Sequence, residues 1–325
     1  MKNKVLSLLK RQEGYTSGEE MSRNLGVTRA AIWKSIKKLQ GEGYIIESKT
    51  KKGYKLVFKP NVITPIELEP LIKNCTLGQQ VKYYDEVEST NERGKALAIE
   101  GAKEGTLVIA DRQSEGKGRL GRSWSSPGGT GIWMSLILKP EILPQYASQL
   151  TLVAGLCVCE ALKEVTGLSA MIKWPNDIII NNKKVCGILT EMSAEMERIN
   201  YIVVGIGINV NQRSFPEDLP FATSLAIEGN EEYIRKDIVK AFLYRFNEAY
   251  EHYKLEPNLK SMIDQYESNC ITLGKTVRIT SGGESFIGLA KGITLEGNLL
   301  VETEHGEERE INSGEVSVRG LYGYI

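Results

Sequence analysis

Apolar positions near the start of the chain recur with the period of a helix. Ile32, Ile36 and Leu39 share one face of a helix predicted to begin after a capping Thr28 and to run to residue 40. A shorter helix is predicted before it, because residues 17–20 read Ser-Gly-Glu-Glu, a capping box, and a glycine follows at 26. Two helices separated by a glycine turn predict a helix-turn-helix.

The period then changes to that of strands. Residues 44–48 and 54–57 are strand-like and flank a lysine-rich turn at 49–53, which predicts a hairpin with a basic tip. Helix, turn, helix and basic hairpin predict a winged helix-turn-helix over residues 1–62.

A second region begins where Thr64-Pro65 predicts a new helix start. It is predicted to extend over 63–270 and to mix helices with strands. The predicted helices begin after Ser89 and cover 145–167, 231–254 and 258–269, and the predicted strands cover 106–110, 170–180, 185–192 and 201–210. Residues 174–177 interrupt the strand over 170–180, and we expect an edge or a bulge there, because Pro175 removes a ladder donor. From 271 to 325, five short strand patterns, the last at 315–319, predict a small β-barrel.

A tight turn is predicted at Asn181-Asn182-Lys183, between the strands predicted over 170–180 and 185–192. Neighbouring side chains of a strand face opposite sides, so one of Lys183 and Lys184 can point to water while the other points to the covered face. Most lysines near a turn are solvated. An inward lysine would bind a phosphate or a carboxylate, with Asp177 the nearest acid to organise it or a magnesium ion.

Charge is distributed unevenly along the chain. Residues 1–60 contain eleven lysines and three arginines against five glutamates and no aspartate, a net charge of +9, whereas the whole chain is neutral. A basic first domain on an acidic remainder favours DNA binding, with a protein-binding helical pair as the alternative. The residues predicted to meet DNA lie on the second helix and at the hairpin tip: Thr28, Arg29, Ala30, Trp33, Lys34, Lys37, Lys51 and Lys52.

Cysteine and histidine usage indicates neither a disulfide framework nor a transition-metal site. The five cysteines are scattered and the chain contains two histidines. No signal peptide or long apolar run is present, so we expect a cytoplasmic protein with no membrane role.

The densest chemical signal lies in residues 116–122, which contain three glycines and three cations. Glycine allows close backbone approach to a ligand, and the cations offer donors to a phosphate. The spacing also fits a dinucleotide fingerprint, but residues 124–131 hold a proline and three glycines and cannot open the required helix. A merely solvated basic loop is the other alternative.

Ser89-Thr90-Asn91-Glu92 permits two interpretations. It is a capping-box pattern, so Ser89 can simply cap a helix. Three hydrogen-bonding side chains at a helix start also form a polar recognition cluster, and the pattern alone does not separate the two.

Together these motifs resemble the family of bifunctional biotin protein ligases that also repress the biotin operon, over the whole length of the chain. The resemblance rests on residues 89–91, on Gln113 with 116–122, on Lys173-Trp174-Pro175-Asn176-Asp177, on Lys184 with 187–189, and on 205–209. It implies an α+β fold with a winged helix-turn-helix, a central α/β ligase domain with a mixed sheet, and an SH3-like β-barrel. The family often has arginine where this chain has Lys117, which keeps the charge but not the bidentate fork.

The resemblance further implies that biotin and Mg²⁺-ATP form biotinyl-5′-AMP, which is then transferred to a lysine of the biotin carboxyl carrier protein of acetyl-CoA carboxylase. Lys184 and Arg119 would be catalytic. The same comparison implies a homodimer that binds operator DNA with biotinyl-5′-AMP as corepressor. The implied binding residues are Ser89, Thr90, Asn91, Gln113, Gly116, Lys117, Gly118, Arg119, Arg122, Trp124, Lys184, Gly187, Ile188, Leu189 and Asn209.

Two other functions stay open at this point. A transcription regulator with a non-catalytic effector domain would bind a small molecule without turnover, although it would not need both Arg119 and Lys184. A lipoate-type ligase would share the central architecture, although the cationic loop and the DNA-binding head favour biotin.

Overall fold

The computed structural model describes residues 1–281, 284–313 and 316–320. The chain divides into two compact units, residues 1–66 and 67–325. Within the described residues, no helix combines the length and the apolar character that a membrane crossing requires.

The first unit contains the predicted helices and hairpin, preceded by a helix that the sequence pattern did not predict. Its elements are α1 (Lys2–Arg11), α2 (Gly18–Leu25), α3 (Arg29–Gly41), β1 (Ile45–Lys49) and β2 (Gly53–Phe58). Ser17 caps α2 by accepting from Glu20 N at 3.0 Å, and Thr28 caps α3 by accepting from Ala31 N at 3.2 Å. Gly26 ends α2 in the left-handed conformation with φ +63°.

The core of this unit is built by the apolar faces of its three helices and closed by β1. Its fully buried members are Val5, Leu6, Leu9, Met21, Ile32, Ile36, Leu39, Tyr44 and Ile46. The predicted apolar face of α3 is therefore the face that packs, which leaves the opposite, lysine-bearing face to solvent.

The second unit is organised around a mixed sheet with helices against it. Its helices are α5 (Thr90–Ile99), α6 (Gln149–Thr166), α7 (Leu225–Glu228), α8 (Arg235–Leu255) and α9 (Ile263–Ser268), and the short α4 (Pro65–Leu68) lies where the two units divide. The predicted start of the long helix at 231 is wrong, because α8 begins at Arg235.

The mixed sheet has the strand order β3-β4-β5-β9-β8-β7-β6 among the described residues. Only the β3–β4 pair in that order is parallel. The strands are β3 (Gln80–Val87), β4 (Thr106–Gln113), β5 (Ile132–Leu138), β6 (Met171–Lys173), β7 (Asp177–Ile180), β8 (Lys183–Ala194) and β9 (Ile199–Ile208).

The interruption predicted at residues 174–177 is present, but the prediction of one strand with an edge or a bulge there is wrong. Residues 174–176 reverse the chain, so that β6 and β7 pair antiparallel with Lys173 opposite Asp177. Pro175 has no backbone N–H to give to a ladder, and the chain turns there instead of continuing. The predicted turn at Asn181-Asn182 is confirmed: both residues have positive φ, 48° and 63°, and they connect β7 to β8.

The end of the chain forms an antiparallel sheet with the order β13-β12-β11-β10-β14 in the part that the structure describes. Its strands are β10 (Thr276–Ser281), β11 (Glu284–Ile293), β12 (Leu299–Thr303), β13 (Glu308–Ile311) and β14 (Val316–Gly320). The predicted start of the last strand at Glu315 and the final residues 321–325 lie outside the described residues.

Candidate active site

The cationic loop folds as a narrow hairpin, residues 113–126, which we call the cationic hairpin. Its two arms are joined by backbone hydrogen bonds from Gln113 N to Ser126 O at 3.1 Å, from Trp124 N to Gly116 O at 2.7 Å and from Gly118 N to Arg122 O at 2.7 Å. A Cβ at Gly116 would lie 2.3 Å from Trp124 O, so a glycine is required for the arms to approach this closely.

No helix opens after the hairpin, since residues 122–131 contain none. The dinucleotide alternative is therefore wrong, because that fingerprint needs a helix N-terminus directly after the glycines. The hairpin instead carries its cations on a ribbon that lies at a pocket.

The first turn of α5 forms one wall of that pocket. Ser89 is 3% exposed and stands at the N-cap position, yet its side chain makes no capping hydrogen bond. Thr90 N donates to Gln113 Oε1 at 2.7 Å, and Asn91 Nδ2 donates to Leu189 O at 3.1 Å. The cluster at the helix start therefore connects the base of the cationic hairpin to β8.

A buried serine that the sequence pattern did not single out supports this wall. Ser135, on β5, has its Oγ 2.8 Å from Thr90 Oγ1 and 2.6 Å from Asn91 Oδ1. Ser126 extends the same network, because Gln113 Nε2 donates to its Oγ at 2.7 Å. A lone serine in an apolar strand has no pattern that marks it as part of a site.

Glycines on β8 and β9 form the floor. Gly187 lies opposite Gly207 across the two strands, and the Trp124 indole covers both: a Cβ would be 3.0 Å from the ring at Gly187 and 2.5 Å from Nε1 at Gly207. The next glycine along β9, Gly205, lies under the Asn91 amide. The Trp124 Nε1–H is buried and donates to nothing within the described residues, so it is a donor without a partner at the pocket.

Lys184 is the inward lysine of the pair at the β7–β8 turn, and Lys183 is exposed. Lys184 Nζ lies 2.6 Å from Asp177 Oδ1 and 5.0 Å from the centroid of the Trp124 ring. The Asp177 carboxylate thus fixes the position of the ammonium, and the aromatic face stabilises its charge.

The tip of the cationic hairpin, Arg119–Gly121, approaches two distant segments. Arg119 Nη1 donates to Asn176 Oδ1 at 2.9 Å and Arg119 Nη2 donates to Ser313 O at 2.6 Å. Burial lowers the pKa of the Arg119 guanidinium from its ordinary value, mainly through desolvation, with Asp177 opposing the shift. An arginine stays charged at neutral pH despite such a shift.

Two adjoining pockets meet at these residues. The inner pocket is lined by Ser89, Thr90, Asn91, Gln113, Lys117, Gly118, Arg119, Trp124, Asn176, Lys184, Gly187, Ile188, Leu189 and 205–207. The outer pocket is larger and adds Arg122, Asp177, Asn209, Phe215, Asp218 and 219–222. Gly118, Arg119, Trp124, Asn176 and Lys184 line both, so the cations stand at the junction of the two spaces.

Of the residues predicted to bind ligand, Gly116 lines neither pocket and supports the hairpin instead. Asn209 is 4% exposed and donates from Nδ2 to Thr223 O at 3.0 Å, so it lies in the wall of the outer pocket. No cluster of three histidine, cysteine or acidic side chains suited to a metal ion occurs among the described residues.

The predicted DNA-binding residues of the first unit lie on two segments, α3 with its N-cap and the β1–β2 turn. Thr28 is occupied as the N-cap of α3. Trp33 is 56% exposed. The other predicted residues are also exposed: Arg29, Ala30, Lys34, Lys37, Lys51 and Lys52. This surface is a basic face with an aromatic side chain at its border.

Comparison with known protein families matches three models to three separate stretches of the chain. The family described as "Biotin/lipoate A/B protein ligase family" matches residues 83–209, a helix-turn-helix domain model matches 2–55, and a "Biotin protein ligase C terminal domain" model matches 272–319.

Relatives are similar over almost the whole length. The chain is 42% identical to the bifunctional ligase/repressor BirA of Bacillus spizizenii over 90% of each chain, and 29% identical to that of Escherichia coli over 97% of this chain and 96% of the relative. A biotin protein ligase from Aquifex aeolicus, solved in complex with biotin and ATP, superposes with a TM-score of 0.66 at 37% identity over 74% of this chain and 99% of its own.

Proposed function

Since the chain belongs to the family of bifunctional biotin protein ligase/repressors, we propose that it joins biotin to ATP at the junction of its two pockets and then passes the biotinyl group to a carrier-protein lysine. In the first step a carboxylate oxygen of biotin bonds to the α-phosphorus, the bond to the β-phosphate oxygen breaks, and pyrophosphate leaves. In the second, the lysine amine bonds to the acyl carbon, AMP leaves and the amine loses a proton.

The placement of the cations carries the proposal. Lys184 and Arg119 line both pockets, so they stand where an acid held in the inner pocket and a nucleotide held in the outer pocket would meet. Two anions that must approach repel each other, and fixed positive charges remove that repulsion as the transition state forms. No side-chain nucleophile is needed, because the carboxylate itself attacks.

The inner pocket fits the bicyclic head and chain of biotin. The Ser89, Thr90 and Asn91 side chains and the Gln113 amide offer hydrogen bonds at one side, and Ile188, Leu189 and the Trp124 ring offer apolar walls. Gly118 and Lys117 stand at the entrance on the cationic hairpin. The unpartnered Trp124 Nε1–H is available to a ligand acceptor.

The outer pocket suits a nucleotide and its magnesium ion. Asp177 and Asp218 are carboxylates at its wall, with Arg119 and Arg122 as phosphate donors. Mg²⁺ is held in such sites by one or two carboxylates together with phosphates and water, and the carboxylates of this pocket match that coordination preference. The ion would neutralise phosphate charge.

Pyrophosphate release measured with biotin and ATP tests the ligase. We expect release that depends on biotin, stops near one equivalent without acceptor, and becomes continuous when an apo biotin carboxyl carrier domain is added. Binding of biotin without release would favour the non-catalytic regulator. A competition in which lipoate is adenylated in preference to biotin would favour the lipoate-type ligase.

For the first unit we propose sequence-specific binding of operator DNA, with the acyl adenylate as corepressor. If the adenylate orders the cationic hairpin and the ordered form pairs better with a second copy, a homodimer would present two α3 helices to a two-fold operator. Sedimentation of the protein with and without biotin and ATP tests this: a monomer under both conditions would remove the dimer from the proposal. We place the protein in the cytoplasm, where ATP, carrier protein and DNA are found together.

A further inference from the structure

The Lys117 ammonium is held by a helix that also forms the pocket wall. Lys117, on the first arm of the cationic hairpin, has its Nζ 2.6 Å from Glu92 Oε1 in the first turn of α5. The two residues are 25 positions apart in sequence. The contact therefore joins two separate segments that border the inner pocket.

The pair is the first link in a chain of alternating charges. Lys95 Nζ lies 2.8 Å from the same Glu92 oxygen and 2.9 Å from Glu191 Oε1 on β8. The other oxygen of Glu191 accepts from Asn91 Nδ2 at 2.8 Å. The charge chain thus runs from the hairpin to the amide that lies on the pocket floor.

The same helical turn holds the base of the hairpin as well. Thr90 binds Gln113, and Gln113 binds Ser126 on the opposite arm. The base is thereby fixed by neutral hydrogen bonds, whereas the arm that continues to Gly118 and Arg119 is fixed at Lys117 by an ion pair. Salt screens the ion pair at Lys117 but has little effect on the neutral hydrogen bonds at the base of the hairpin.

Lysine suits this contact because its compact ammonium can reach a carboxylate that a second lysine already shares. The Glu92 pKa lies below its ordinary value, first because Lys117 donates to it and then because Lys95 does. Glu92 is therefore ionised at neutral pH. The side chains of Lys117 and Glu92 are 49% and 35% exposed, so a small effect is expected from the pair alone and a larger one from the chain of charges.

We propose that Glu92 is a positioning residue: it holds the Lys117 arm of the cationic hairpin over the inner pocket and thereby slows the escape of the acyl adenylate. The inference rests on the proposed function, because it concerns the intermediate of that reaction. Glu92 lines neither pocket, so its effect acts through Lys117.

The test compares Glu92→Gln with Glu100→Gln in the full-length protein. Each change removes one carboxylate, but Glu92 lies in the first turn of α5 whereas Glu100 is its C-cap and pairs with Arg93 at 3.8 Å. Radiolabelled biotinyl-AMP is formed on each protein, unlabelled biotinyl-AMP is added in excess, and the rate of label release is followed. We expect Glu92→Gln to release the adenylate roughly three- to tenfold faster, the size expected for a charge network, and Glu100→Gln to match the unchanged protein.

Two further measurements separate positioning from a general loss of structure. Added NaCl should speed release from the unchanged protein by a larger factor than release from Glu92→Gln, because the variant lacks the ion pair at Lys117 that salt screens. Lys117→Met should also speed release of the adenylate. The double variant Glu92→Gln with Lys117→Met should release it no faster than the faster of the two single variants.

Equal release rates for Glu92→Gln and the unchanged protein would overturn the inference, as would additive effects in the double variant. Failure of the proposed function would look different, because the unchanged protein would then form no labelled adenylate at all.

Discussion

The chain has two cationic surfaces, and they differ in whether their cations are paired with other protein groups. On α3 and the β1–β2 turn, Lys34, Lys37, Lys51 and Lys52 are exposed, and none has a carboxylate partner within the part of the chain that the structure describes. At the site, three of the four cations are already bound: Lys117 to Glu92, Lys184 to Asp177, and Arg119 to Asn176 and Ser313. The fourth, Arg122, is exposed.

The difference between solvated and paired cations follows from the ligand that each surface is proposed to bind. A DNA backbone presents phosphates at regular spacing, so mobile solvated cations can pair with it and release counterions. A reacting carboxylate and phosphate need charge at fixed points before they arrive, since charges that must still be oriented stabilise the transition state less. Protein partners hold the site cations at those points.

The largest effect is expected from removing the fixed ammonium of Lys184. Lys184→Met should slow adenylate formation by roughly 10²–10³-fold, the loss typical of one preorganised charge at the reacting atoms. Lys183→Met is the matched control, because the neighbouring lysine is exposed at the same turn. Single-turnover pyrophosphate release measures both variants. A near-normal rate for Lys184→Met would contradict the claim that a fixed ammonium at this position is needed for adenylate formation.

On the DNA side, the double change Lys34→Ala and Lys37→Ala should weaken binding of a random-sequence duplex by roughly 10- to 50-fold near physiological salt, with the salt slope reduced by about two. Lys4→Ala on α1 is a control for charge, since Lys4 is also exposed but lies on another helix. Anisotropy titrations over a range of salt measure the slope. An unchanged slope would mean that the face does not neutralise phosphates, and the protein-binding alternative would then be favoured.

A third test concerns shape at the site. Gly207→Ala would place a methyl group 2.5 Å from Trp124 Nε1, so the indole must move off the floor of the inner pocket. We expect biotin affinity to fall by about tenfold and Trp124 emission to change, as for overpacking in a close contact. Gly155→Ala in α6 is the control, because its new carbon would lie 3.8 Å from Ile188, an ordinary contact. Equal biotin affinities of Gly207→Ala and the unchanged protein would show that the position of the Trp124 indole over Gly207 does not matter for biotin binding.

Local chemistry made part of this arrangement predictable. The turn at Asn181-Asn182 was predicted from its residue types, and the structure bears it out. Strand alternation predicted that one of Lys183 and Lys184 could point inward but left open which one, and Asp177 was expected only as the nearest acid. The Arg119–Ser313 contact joins residues 194 positions apart, and the Glu92–Lys117 pair joins two separate segments, so no local period could reveal them.

The wrong prediction over residues 170–180 also arises because local patterns do not reveal which segments pair. Residues 170–180 were predicted as one strand interrupted at Pro175, but a proline alone does not tell whether a strand bulges or the chain turns back, and the reversal there pairs the two halves with each other. In the N-terminal unit, α1 was not predicted, but the face of α3 that packs was, because the period of Ile32, Ile36 and Leu39 indicates it.

The smallest predicted effect compares the two hydroxyl residues at helix starts. Thr28 caps α3 through Ala31 N, whereas Ser89 at the start of α5 makes no capping bond and lines the inner pocket. Thr28→Ala should cost about 1 kcal/mol locally, seen as roughly fivefold faster hydrogen exchange of the α3 amides. Ser89→Ala should leave exchange of the α5 amides unchanged and weaken biotin binding by up to about tenfold, the loss of one hydrogen bond. Faster exchange in α5 with unaltered biotin binding would instead make Ser89 a cap, and the first turn of α5 would then hold the cationic hairpin without touching the ligand through this hydroxyl.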